Sequence, residues 1–329
     1  MWGLVAILLL LVVAVLLVGS VAISPAEVWR ALVYGGDDPA AVIIRYSRLP
    51  TAVSALLAGP ALAIAGLQMQ TTFDNPLAGP SILGVSSGAS LGVAVALLGF
   101  GGSLAAGMGM ALTAIIGAFA GAALIILLLL AFSRLVVSST MLLIVGIIIG
   151  YLTSSLISLL NFFATQEGVH SFVIWGLGSF GGMTPDRLSL FVPLVCFFIA
   201  ASFLMVKPLD ALQLGDNYAS NLGVNVRRAR GLLLFVSGAL TAIITAYCGP
   251  IAFVGLIVPH IARLLTRTAS HLPLMLATAL CGAIVTLLCQ LLSVLPASGT
   301  IPVNAITPLI GAPVILYVIV NRRKIFYLR

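Results

Sequence analysis

Residues 138–163 read SSTMLLIVGIIIGYLTSSLISLLNFF, and no charged residue occurs between Arg134 and Glu167. About 20 apolar residues suffice for a helix to cross the hydrocarbon core of a bilayer. This stretch is long enough to span, and the rest of the chain resembles it. Hydrophobic residues make up 61% of the 329 and charged residues 7%, with a mean hydropathy of +1.25. A soluble domain carries about a quarter charged residues. With so few charges, most of the surface must face lipid.

Working outward from 139–163, further apolar runs lie near 3–23, 50–70, 82–100, 104–132, 188–206, 231–247, 251–266, 272–295 and 304–321. Together they predict about ten transmembrane helices in one membrane domain covering residues 1–329. The run at 251–266 is interrupted by Gly249-Pro250 and by Pro259. The first run has no basic residue before Gly3, so it reads as a span and not as a cleaved signal peptide.

Basic residues orient the spans. With a cytoplasmic N-terminus, Arg134, Lys207, Arg227, Arg228, Arg230, Arg263, Arg267, Arg322, Arg323, Lys324 and Arg329 fall inside. Arg30, Arg45, Arg48 and Arg187 fall outside. That asymmetry satisfies the positive-inside rule and puts both termini in the cytoplasm. The net charge of +7 is thus a topology signal, with no aromatic-interleaved basic patch to suggest nucleic acid.

The 33 glycines and 16 prolines set this chain apart from a plain anchor. Broken backbone is tolerated in a bilayer only where it is buried in protein or lines a cavity, so short and re-entrant helices are expected. Asn75-Pro76-Leu77-Ala78-Gly79-Pro80 cannot be continuous helix. Gly84, Gly88 and Gly92 follow at helical spacing, with Ser86, Ser87 and Ser90 between them. Such a face allows close helix packing, and its serines could also border a pathway. Ser138, Ser139 and Thr140 suit an N-cap or a narrow polar constriction, and the two roles are compatible. The segment 175–182, with four glycines, suits a short helix and a tight turn. The polar segment 209–230 suits two short surface helices that offer a docking surface to a cytoplasmic partner.

The chain has no GxxxxGK[ST] phosphate loop, no HExxH and no GxSxG, and its three histidines lack ligand-spaced partners. Cys196, Cys248, Cys281 and Cys289 lie in or beside apolar runs without CxxC spacing and read as packing residues. No enzyme activity, metal or cofactor is expected. The scarcity of ionisable groups at mid-span argues against a proton- or sodium-coupled secondary transporter.

Several strings recur in an order that resembles the FecCD-type permeases of binding-protein-dependent ABC importers, which carry ferric siderophores, haem and cobalamin. They are Arg48-Leu49-Pro50; Asn75-Pro76-Leu77-Ala78 and Leu83-Gly84-Val85-Ser86-Ser87-Gly88-Ala89; Leu214-Gly215-Asp216 with Leu222-Gly223-Val224; Phe253-Val254-Gly255-Leu256 with Pro259-His260 and Arg263; and Ile310-Gly311-Ala312-Pro313. The resemblance implies an all-α integral membrane protein of the type II ABC importer class, working as a homodimer or close heterodimer in the bacterial inner membrane. It implies two copies of an ABC ATPase docked on a coupling loop at about 208–230, through Leu214, Gly215, Asp216, Leu222, Gly223 and Val224. It also implies a periplasmic substrate-binding protein docked near Arg45 and Arg48, and a cytoplasmic gate at Ser138, Ser139 and Thr140. Asn75, Pro76, Gly84, Ser87, Gly88, Pro259 and His260 would be pathway or structural positions. An iron chelate is the first expected cargo, cobalamin the second and a molybdate-type oxyanion the third. The sequence departs from the family pattern at Thr51, where arginine is frequent, at Ser293 and Thr300, where a basic and an acidic residue are usual, and at Asn304 after Pro302-Val303.

Overall fold

The computed structural model describes residues 2–99, 109–136, 139–296 and 299–320, with the side chains of residues 139, 318 and 319 left aside. The described residues are helical with turns and contain no strand. In chain order the helices are α1 (Trp2–Leu17), α2 (Pro25–Val33), α3 (Pro39–Ile43), α4 (Leu49–Thr72), α5 (Val85–Ala94), α6 (Met110–Leu135), α7 (Ser139–Phe163) and α8 (Gln166–Gly176). Next come α9 (Pro185–Leu204), α10 (Val206–Leu212), α11 (Asp216–Asn221), α12 (Val226–Cys248), α13 (Val254–Thr266), α14 (His271–Val294) and α15 (Val303–Val320). Five-residue π-helical segments, Ile44–Arg48 and Val95–Gly99, join α3 to α4 and extend α5.

Six of the described helices are long and apolar enough to cross a membrane, and four shorter apolar ones supplement them. The shorter four are α1, α5 with its extension, α13 and the apolar part of α15. These ten helices fall on the ten runs expected from sequence. The shortest, α13, explains the broken eighth run. The chain leaves α12 at Gly249 (φ +77°), continues without regular structure through 249–253, and turns helical again inside the bundle. Its irregular half is covered by protein, as lipid requires.

The central helix is α4, which packs against α14, α12, α13, α9 and α1 and is buried along most of its length. Its interior is built from small residues, and this lets neighbouring backbones touch. A β-carbon on Gly282 would sit 2.5 Å from the Gly59 carbonyl oxygen, and one on Gly66 would overlap the Gly255 backbone. A second cluster assembles α5, α6, α7 and α12. Here Gly88 and Gly92 interlock with Gly117 and Gly121, and Gly84 (φ +78°) abuts Gly146 and Gly150. The glycine face therefore packs helices on two sides. Ser86, Ser87 and Ser90 are half-buried beside it, and the Ser90 hydroxyl bonds to the Ser86 carbonyl.

Candidate functional site

At the end of the bundle where α4 finishes, two short helices stand between α9 and α12. The first, α10, packs on α4 and α14, and Leu209 and Leu212 are buried there. The second, α11, is bounded by Gly215 (φ +98°) and Gly223 (φ +82°). Both glycines occupy backbone conformations that a residue with a β-carbon adopts only at a cost. Ala219 is buried and receives the Val224 amide, which closes the turn after α11. Leu214 and Leu222 are 61% and 58% exposed, and Tyr218 beside them is also exposed. Asp216 forms an ion pair with Arg230 at 2.8 Å, fixing α11 against the start of α12. The segment 209–230 therefore has the two short helices expected of it and presents an apolar knob.

A polar network fastens this loop to the membrane helices. Asp210 on α10 accepts hydrogen bonds from the backbone amide of His271 (2.8 Å) and from its Nδ1 (2.7 Å), at the first turn of α14. The other ring nitrogen lies 2.8 Å from the Thr71 hydroxyl at the end of α4. Next to Thr71, Gln70 accepts from Arg263 of α13 at 2.6 Å and donates to the Leu256 carbonyl. His260 of α13 donates from Nε2 to the Pro76 carbonyl at 2.9 Å. Asn75 accepts the Leu77 amide in a tight turn, and Asp74 before it has φ +45°. Gln70, Thr71, Asp74, Asn75, Pro76, His260, Arg263 and His271 line a pocket of about 110 Å³ together with Gln213, Arg267 and Thr268, and Asp210 stands behind His271. Asn75, Pro76 and His260 from the expected positions are thus brought together, and Pro259 is buried in the same helix. Sequence reasoning gave no site role to Asp210, His271, Thr71 and Gln70, and it met Arg263 only as the end of a family string. They lie up to 200 residues apart, and only their placement at span ends could have marked them.

Of the gate positions, Ser138 lies outside the described residues, as do Ser298 and the basic cluster Arg322, Arg323, Lys324 and Arg329. Ser139 begins α7, and Thr140 is exposed in its first turn. Beyond this turn α7 leaves much of its apolar surface uncovered, including Ile144, Ile148, Tyr151 and Leu159.

At the opposite end the two arginines expected near the binding protein differ in their surroundings. Arg45 is exposed, but Arg48 is 7% exposed and turned inward. Its guanidinium donates to the carbonyls of Leu16 and Leu17, at 2.8 and 2.7 Å, and to that of Val21. The last carbonyls of α1 have no intrahelical partner, and Arg48 satisfies two of them. It closes the end of α1 and does not present a charge at the rim. Gly19 makes room for it, since a β-carbon there would lie 2.9 Å from the guanidinium. Two of the residues that depart from the family pattern, Ser293 and Asn304, are also engaged at this end. The Ser293 hydroxyl bonds to the Ile301 carbonyl at 2.5 Å, and the Ile301 amide bonds back to the Ser293 carbonyl at 2.9 Å. Asn304 accepts the Ala252 amide through Oδ1, and its own amide reaches the Leu177 carbonyl. One asparagine thereby ties the turn after α8 and the irregular segment before α13 to the start of α15.

The FecCD transport family model matches residues 7–321. The vitamin B12 import system permease protein BtuC of Salmonella paratyphi A is 36% identical over 321 residues, covering 96% of this chain and 95% of that protein. The same protein of Salmonella typhi matches equally in identity and coverage. A solved inward-facing structure of a transporter assigned to the metal-chelate ABC type superposes with a TM-score of 0.83. It is 32% identical and covers 98% of both chains.

Proposed function

Because the chain belongs to the FecCD transport family, we propose that it is the membrane permease of an importer that moves a metal chelate into the cytoplasm, driven by a separate ABC ATPase. The observation that carries this reading is the fastening of α10 to α14 and α4 through Asp210, His271 and Thr71, directly beside the exposed Leu214 and Leu222. A partner pushing on α11 would act on helices that cross the membrane.

In this reading two permeases pair across their uncovered apolar faces, and two ATPases seat on Leu214, Gly215, Asp216, Leu222, Gly223 and Val224. Ser138, Ser139 and Thr140 narrow the cytoplasmic exit. Asn75 and Pro76 form the turn that His260 steadies, and the Gly84, Ser87 and Gly88 face sets the spacing of the helices behind it. A periplasmic binding protein docks at the opposite end, where Arg45 supplies an exposed charge that tunes encounter and orientation. The protein lies in the bacterial inner membrane with both termini in the cytoplasm. Residues 1–329 act as one transmembrane unit.

The relatives support vitamin B12 as the cargo. A ferric chelate, siderophore or haem, is the second reading, supported by the structural neighbour of metal-chelate type. The test is uptake into proteoliposomes holding the permease, its ATPase and its binding protein. Vitamin B12, a ferric siderophore and haem would be offered in parallel. ATP-dependent uptake of vitamin B12 that requires all three components is the expected result. Uptake of an iron chelate alone would select the second reading. Uptake driven by an ion gradient without the ATPase would refute the mechanism.

A further inference from the structure

Away from the coupling network, α6 ends and α12 begins at the same level, and a groove of about 600 Å³ opens between them. Arg134 stands in the last turn of α6, and Arg227 and Arg228 stand in the first turn of α12. Arg227 donates to the Arg134 carbonyl and so bridges the two helices, and all three side chains are exposed. Among the described residues no carboxylate lines the groove, and Asp216, the nearest acid in sequence, is engaged by Arg230. Below the arginines the groove is walled by Leu130, Leu232 and Phe235, and the latter two are well exposed. At 1.5 Å per residue, Leu130 and Leu232 lie about 6 Å deeper than the arginines, and Phe235 about 10 Å deeper.

We propose that this groove binds one anionic phospholipid, with its phosphate held among Arg134, Arg227 and Arg228 and an acyl chain laid along Leu130, Leu232 and Phe235. Both helices are membrane spans, so the arginines stand at headgroup depth and the apolar wall stands in the hydrocarbon. The positive end of the α12 dipole adds to the field, although Asn225 caps it by accepting the Arg228 amide. Three guanidinia facing one groove, with no acid to neutralise them, match a phosphate and repel a choline headgroup. Basic pockets between transmembrane helices select anionic headgroups on this basis.

The test is native mass spectrometry of the full chain, titrated with phosphatidylglycerol and phosphatidylcholine of identical acyl chains. Phosphatidylglycerol is expected to bind about 25-fold more tightly, roughly a fivefold gain from each of Arg134 and Arg228, the Arg227 guanidinium being committed to the Arg134 carbonyl. The double variant Arg134→Gln/Arg228→Gln leaves the Arg227 bridge in place and should abolish the preference. The Arg134→Lys/Arg228→Lys variant should restore most of it, and Lys207→Gln, exposed at the same end, should leave it intact. Equal binding of both lipids, or a preference that survives the double variant, would overturn the proposal. Displacement of the lipid by millimolar glycerol phosphate would reassign the groove to soluble phosphates. Loss of affinity for the partner ATPase in the double variant, with the lipid preference unchanged, would reassign the arginines to that partner.

Discussion

Replacing Arg48 separates two roles that its position allows. In Arg48→Ala the carbonyls of Leu16, Leu17 and Val21 lose their common donor. The bond to Leu16 is fully buried, so its carbonyl cannot turn to water. The other two are partly buried and recover some hydration. An acceptor left unsatisfied in the interior costs about 1–3 kcal/mol, and loss of the charge-assisted bonds adds to it, so the expected destabilisation is about 2–4 kcal/mol. Arg48→Lys keeps the charge but offers a single nitrogen, and should cost about half as much. The measurement is thermal unfolding in nanodiscs, paired with surface-bound titration of the periplasmic binding protein. Arg48→Ala should lower the unfolding temperature and detach α1, seen as faster amide exchange at its C-terminal turn. In Arg45→Gln the unfolding temperature should stay as it was, while association of the binding protein slows. Gly19→Val should mimic Arg48→Ala, because its side chain would displace the guanidinium. An Arg48→Ala protein of unaltered stability that no longer binds its partner would refute the capping assignment.

Other perturbations address the rest of the molecule. Gly282→Ala places a methyl against the backbone of Gly59 and Pro60, which cannot move aside, and should cost about 1–3 kcal/mol of stability in nanodisc unfolding. Asp210→Asn leaves one weaker acceptor for His271 and should lower uptake several-fold while stimulated ATP hydrolysis continues, measured together in proteoliposomes. Gly215→Val or Gly223→Val forces a β-branched residue to a positive φ and should uncouple hydrolysis from uptake without dispersing the folded permease. Glu27 closes a capping box with Ser24 at the start of α2, and the hydrogen bonds from Ser24 hold its carboxyl below the ordinary range. The capped turn is therefore fully favoured above the ordinary carboxylate pKa and is lost as pH falls through the lowered value. The amide protection factors of α2, taken relative to the intrinsic exchange rate at each pH, should stay constant from neutral pH to about pH 5 and fall only in stronger acid.

Much of the architecture was legible in the sequence because lipid leaves few choices. Uncharged runs such as 139–163 can only be buried in hydrocarbon or in protein, and the Gly249-Pro250 break announced the irregular entry to α13. The glycine spacing at 84–92 predicted close packing, though not which faces would meet. Side-chain direction was the part that sequence could not carry. Arg45 and Arg48 are three residues apart in one short segment, and the π-helical turn points one outward and the other under α1. The partners of His271 lie 61 and 200 residues away, joined only by the tertiary arrangement. Periodicity reports which face of a helix is apolar, but it has no means of reporting such long-range polar pairing.

The backbone contact of Gly59 with Gly282 and of Gly66 with Gly255 bears on where the molecule can bend. Helices that touch through their main chains have no side-chain layer to slide on, so α4, α13 and α14 form the stiff frame. α7 lacks such an anchor along most of its length. Distance probes across the α4–α14 seam should therefore read the same throughout a transport cycle and serve as an internal ruler. Probes from that frame to α7 should record the stroke.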